Sequence, residues 1–102
     1  MSDQNSAFEI KETMEISDHL IVGILFHEIK SEIMKLLIKG EFTVMELSKE
    51  LEKNPGTIKR HLDDLLENNL IKQHKTIKNE YGIKQKYYRA VARNFIVNLT
   101  FP

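Results

Sequence analysis

Cysteine is absent from the chain, which excludes a disulfide framework, a thiolate metal site and a cysteine nucleophile. Such a composition is expected of a cytoplasmic protein. Long hydrophobic runs are missing as well. The longest uninterrupted apolar stretch runs from Leu20 to Phe26 and contains Gly23, far short of the roughly 20 residues that span a bilayer. Residues 1–6 are polar and carry neither the basic stretch nor the apolar run of a signal peptide, so no membrane partner is expected. Net charge is absent too, because fifteen basic and fifteen acidic side chains cancel. No internal repeat or low-complexity segment is seen.

What remains is a chain of 102 residues, 41% hydrophobic and 29% charged, an ordinary globular mixture rather than a disordered one. It has room for one domain and one core, not for the deep pocket of a typical metabolic enzyme. The zero charge hides an asymmetry. Residues 1–52 hold five lysines against eleven acids, whereas residues 53–102 hold ten basic side chains against four acids. A basic half set against an acidic one points towards a nucleic-acid or membrane surface.

Helix punctuation is clear. Ser17 or Asp18 can cap a short apolar helix over His19–Leu25. Ile29, Ile33, Leu36 and Leu37 form one stripe on a longer helix, about Glu28–Lys39, that Gly40 closes. Thr43-Val44-Met45-Glu46 is a capping box, and Val44, Leu47 and Leu51 mark about two turns after it. Asn54 as N-cap and Pro55 at the first helical position open the next helix, striped by Ile58, Leu62, Leu65 and Leu66 and closed by Asn68-Asn69. Only Glu52 and Lys53 separate these last two helices, a tight turn that makes them a helix-turn-helix.

After Leu70 the residues turn β-branched and aromatic. Ile71–Ile77 and Gln85–Ala92 read as a hairpin whose tip holds Asn79, Glu80, Tyr81 and Gly82. Phe95–Leu99 and Phe8–Ile16 read as two further strands near the ends of the chain. The expected class is α+β and mostly α: a winged helix-turn-helix with a three-helix core, a β-hairpin wing and extra terminal strands. Residues 1–16 form a tail or strand, and residues 17–100 the winged domain.

Three segments carry a family likeness. They are residues 28–37 (Glu-Ile-Lys-Ser-Glu-Ile-Met-Lys-Leu-Leu), residues 42–48 (Phe-Thr-Val-Met-Glu-Leu-Ser) and residues 57–65 (Thr-Ile-Lys-Arg-His-Leu-Asp-Asp-Leu). Together they resemble the core of ArsR-type transcriptional regulators, and Tyr87-Tyr88-Arg89 with Phe95–Leu99 resemble archaeal members of that group. The likeness covers about residues 16–100 and implies a homodimeric regulator of transcription that binds double-stranded DNA. Many such proteins sense metals through cysteines near the second helix, or through histidines and acids on a C-terminal helix. This chain departs from that pattern on both counts, so no metal and no cofactor is expected.

On the Pro55 helix, an inward apolar stripe leaves Asn54, Gly56, Thr57, Lys59 and Arg60 outward at the entry end, where a recognition helix meets DNA. Arg60 suits guanine O6 and N7, and Asn54 suits adenine. Thr57 and Lys59 suit phosphates, and Gly56 permits close backbone approach. Asp63, Asp64 and Glu67 repel phosphate further along, and Asp63 or Asp64 is a candidate ion-pair partner for Arg60. The hairpin offers Lys75, Lys78, Asn79, Tyr81, Lys84 and Lys86 to the DNA backbone or minor groove. Tyr87 and Tyr88 fall on opposite faces of their strand.

The four histidines show no i, i+3 or i+4 ligand spacing, and His61 reads as a half-buried packing residue. Met14, Met34 and Met45 read as core or interface filler. No nucleophile–base constellation appears, so no enzyme is expected. The rival function is a winged-helix module that holds a protein partner. Such a module calls for an apolar or mixed wing, where this one has lysines. His19–Leu25 and Phe95–Leu99 carry more apolar area than a small core absorbs, which suits a two-fold interface.

Overall fold

In the computed structural model, which describes residues 9–100, each helix begins behind a capping side chain, three of them foreseen in the sequence and the fourth, His27, not. Asp18 Oδ1 accepts the N–H groups of Leu20 and Ile21 and opens α1, His19–Leu25. His27 opens α2, Glu28–Lys39, its ring Nδ1 accepting from Ile29 and Lys30 N–H. The Thr43–Glu46 capping box opens α3, Val44–Leu51, and Asn54 opens α4, Pro55–Glu67. Glu52, at φ 54°, makes the left-handed corner between α3 and α4. Asn69, at φ 59°, turns the chain out of α4.

Ile33, Leu37, Leu47, Ile58, Leu62, Leu65 and Leu70 are fully buried where α2, α3 and α4 meet. All but Leu70, which follows α4, belong to the stripes visible in the sequence, and burying each such side chain contributes about 1.5–3 kcal/mol before chain entropy is set against it.

The hairpin consists of β2, Ile71–Lys78, and β3, Lys84–Ala90, paired antiparallel. A register shift between Gln73 and Lys75 makes His74 the extra residue of a bulge. Tyr88 exchanges both backbone hydrogen bonds with Phe42, which ties the wing to the lead-in of α3.

Two strand limits differ from expectation. The second hairpin strand stops at Ala90, not Ala92, because the Val91 carbonyl accepts the Lys11 N–H and the chain passes from the hairpin to a new partner there. The last strand, β4, is Ala92–Val97 rather than Phe95–Leu99, since Ala92 already lies in register with Lys11. Its partner β1 is Lys11–Ile16, paired parallel. The expected start of that first strand at Phe8 lies outside the described residues. Among the described residues no helix is long and apolar enough to cross a membrane.

Candidate nucleic-acid interface

Helix α4 buries Ile58, His61, Leu62 and Leu65, so the opposite face of its first turns must point outward. Gly56, Lys59 and Arg60 are exposed there, and Thr57 is half-buried. Asn54 is exposed too, but its Oδ1 accepts the Gly56 N–H at 2.7 Å. That oxygen is the acceptor that pairing with adenine would also use. A Cβ at position 56 would lie 3.1 Å from the same oxygen, so glycine here lets the cap close.

The carboxylates that sequence reasoning offered to Arg60 are engaged elsewhere. Asp63 accepts from Lys59 Nζ at 2.7 Å, one turn away on the helix, and this hydrogen bond holds the Lys59 ammonium above the ordinary lysine range. Asp64 Oδ2 lies 3.2 Å from Lys30 Nζ, across the α2–α4 contact. The Lys59 charge is thus shared with a neighbour, while the Arg60 guanidinium projects into solvent.

Strand alternation divides the wing cations between two faces. Lys78 lies opposite Lys84, and Thr76 opposite Lys86. Alternation along β3 puts all four on the face that carries buried Tyr88. Lys75 is on the other face, opposite Tyr87, where its Nζ lies 2.6 Å from Glu41 Oε2 and 5.2 Å from the Tyr87 ring centre. His74 Nε2 approaches the same carboxylate at 3.1 Å. Of the wing residues read from sequence, the structure therefore brings Lys78, Lys84 and Lys86 together and commits Lys75 to Glu41.

Asn79 is structural at the tip. Its Oδ1 accepts from both Tyr81 and Ile83 N–H at 2.9 Å, and its carbonyl accepts from Gly82, whose φ of +78° closes the turn. Tyr81 and Ile83 project from this tied tip, 77% and 60% exposed.

Between the start of α3, the outer face of α4 and the wing lies an open cleft of about 420 Å³. Lys59, Lys84 and Lys86 line it together with Met45 and Ile83. Neither apolar residue was singled out as a site residue in the sequence. Met45 is 60% exposed, not core like buried Met34; it stands at the second position of α3, where the capping box turns it away from the stripe.

Behind α4 sits a polar seat that periodicity could not reveal. Lys30 is 8% exposed and His61 7% exposed, with the His27 ring 5.0 Å from that of His61. His61 Nδ1 is buried without a hydrogen-bond partner. Burial lowers the His61 pKa, nearby Lys30, His27 and Arg60 lower it further, and Asp64 opposes them. Among the described residues no group of three or more histidines and acids is arranged to hold a metal ion.

A second surface is apolar. Leu20 on α1, Phe26 just after it, Ile96 on β4 and Leu99 are all exposed. A groove of about 350 Å³ opens at Phe26, lined also by Leu25, Met34, Ile38, Phe95 and Val97, while Ile96 points from the other face of β4.

Comparison with known proteins agrees with this architecture. The model of the bacterial regulatory protein arsR family matches residues 27–73, from the cap of α2 into β2. That segment is similar to the helix-turn-helix of the ArsR family. No curated protein matches the chain. Among solved structures, the transcriptional repressor BigR from Xylella fastidiosa is 28% identical, with a TM-score of 0.55 over 70% of this chain and 64% of that one. HlyU from Vibrio cholerae is 24% identical, with a TM-score of 0.56 over 70% of this chain and 71% of its own. The homodimeric winged helix-turn-helix DNA-binding domain Mb0332 from Mycobacterium bovis is 21% identical, with a TM-score of 0.55 over 71% and 61% of the two chains. The winged helix-turn-helix expected from the sequence is thus the fold observed, with four helices and a wing in an α+β arrangement.

Proposed function

We propose that this ArsR-type chain is a sequence-specific regulator of transcription that binds double-stranded DNA as a homodimer, in the cytoplasm and without catalysis. Residues 17–100 serve as the DNA-binding unit. Helix α4 enters the major groove, with Arg60 and Thr57 at base edges, and Lys78, Lys84 and Lys86 lie along the phosphates. Asn54 and Gly56 shape the entry of α4, Asn79 holds the wing tip that presents Tyr81, and Lys59 and Lys75 each share their charge with an acid.

The observation that carries this reading is the lysine pair at the wing tip. Lys78 and Lys84 stand directly opposite one another, an arrangement that destabilises an isolated sheet and is relieved by an anion laid across it. A protein-binding wing would be served better by neutral or apolar groups on that face. BigR is a transcriptional repressor and Mb0332 a homodimeric DNA-binding domain, which supports the same reading here. The apolar groove between the end of α1 and β4, with exposed Phe26 at its lip, supplies the two-fold contact.

Selection from a random duplex library tests both parts. A two-fold dimer enriches an inverted repeat with half-sites about one helical turn, ~34–36 Å, apart. Enrichment of no motif contradicts sequence-specific reading, and a single half-site contradicts the dimer.

A further inference from the structure

We infer that the cleft between α3, α4 and the wing is the track of one DNA strand, in which Met45 and Ile83 grip the sugars while Lys84 and Lys86 hold the phosphates. This deepens the DNA-binding reading and rests on it.

The cleft has two chemistries. Lys59, Lys84 and Lys86 give it positive charge, and among the described residues only Lys59 of the three is paired to an acid, Asp63. Met45 and Ile83 give it two apolar walls, each 60% exposed. A strand of duplex DNA alternates in the same way, with anionic phosphates and apolar deoxyribose faces. The charge complementarity commits the cleft to an anionic polymer rather than to an apolar peptide.

The backbone beneath both apolar walls is tied by hydrogen bonds, so each side chain leaves it from a defined point. Met45 follows the capping box, in which Thr43 Oγ1 accepts the Glu46 N–H at 3.1 Å and Glu46 Oε1 accepts the Thr43 N–H at 2.9 Å. Ile83 is fixed by its N–H to Asn79 Oδ1 and by its carbonyl, which accepts the Asn79 N–H at 2.9 Å. Thr43 is itself 4% exposed, and the neighbouring Phe42 is bonded to Tyr88 of the wing. The two walls therefore belong to one rigid frame. Leaving two large apolar side chains in water on such a frame gains nothing for folding, whereas covering them with sugar gains roughly 25 cal/mol per Å² buried.

The two chemistries separate in a salt series, because phosphate contacts release counterions and apolar contacts do not. Fluorescence anisotropy with a labelled random-sequence duplex, from ~50 to ~200 mM salt, is measured for the full chain and three variants. Met45→Ala and Ile83→Ala are each expected to weaken binding roughly fivefold at every salt concentration and leave the slope of log K against log salt unchanged. Lys84→Met is expected to flatten the slope by about 0.9 for each phosphate that it no longer neutralises. Both apolar positions are exposed, so thermal midpoints should match the parent chain. If Met45→Ala and Ile83→Ala bind as the parent does, the apolar grip is wrong while DNA binding stands. If they change the slope, the walls act through lysine placement and the inference is again overturned. A parent chain that binds no duplex removes the functional reading and this inference together.

Discussion

The contact between Lys30 and Asp64 joins α4 to α2, and its two ends are unequal. The Lys30 side chain is 10% exposed and the Asp64 side chain 48%, with 3.2 Å between charged atoms. Removing one partner of a fully buried pair costs about 3–5 kcal/mol, because the other charge is left in the interior. Here water reaches Asp64, so Asp64→Ala is expected to cost less, about 1–2 kcal/mol, most of it from stranding the Lys30 ammonium. Lys30→Met removes the buried charge and keeps the packing of the stem, leaving a carboxylate already half in solvent. It should stay within about 0.5 kcal/mol of the parent or exceed it. The double variant should then match Lys30→Met. Urea unfolding at fixed protein concentration measures all three through the midpoint at constant slope. Equal destabilisation by the two single variants would refute the reasoning, since a simple surface ion pair gives up the same energy whichever end is cut.

Three further outcomes follow from particular residues. The folded-state pKa of His61 lies below its ordinary 6.5, so the folded chain takes up this proton less readily than the unfolded one. Its contribution to stability is complete above pH 6.5 and is lost as pH falls through the window down to the folded value. Unfolding midpoints across that window should slope for the parent and flatten for His61→Leu; a parallel slope in both would assign the dependence to other groups. Arg60→Ala should cost about 1–3 kcal/mol on a selected site and relax its sequence preference. Loss of affinity with full preference retained would make Arg60 a phosphate clamp. Phe26→Asp should convert a dimer into a 12.0 kDa species by light scattering; an unchanged mass would place the two-fold contact elsewhere.

The helices were legible because their signals are local. Asp18, Thr43, Asn54 and Pro55 announce helix starts by chemistry acting within three or four residues, and the buried stripes of α2 and α4 repeat with the helical period. Strand limits depended on distant partners. Nothing near Val91 reveals that its carbonyl will accept from Lys11, or that Ala92 will lie beside Lys11.

The site divided along the same line. That Lys78, Lys84 and Lys86 stand together follows from alternation once the hairpin is drawn. The retirement of Lys75 to Glu41 required a bulge at His74 and a residue some thirty positions earlier. Met45 was read as core or interface filler and Ile83 was passed over, because apolar residues in a capped helix and a hairpin are ordinarily core. Lys30 escaped because a lysine beside an apolar stripe is ordinarily solvated.

The central claim is that the wing face carrying Lys78, Lys84 and Lys86 neutralises DNA phosphates. Its most direct test is the salt dependence of duplex binding by the parent chain and by the Lys78→Ala/Lys84→Ala/Lys86→Ala variant, after circular dichroism shows both folded. The parent should lose affinity steeply between ~50 and ~200 mM salt, and the variant's slope should be shallower by about 0.9 for every phosphate left without its lysine. Equal slopes for the two proteins, or a parent whose affinity does not depend on salt, would contradict the claim.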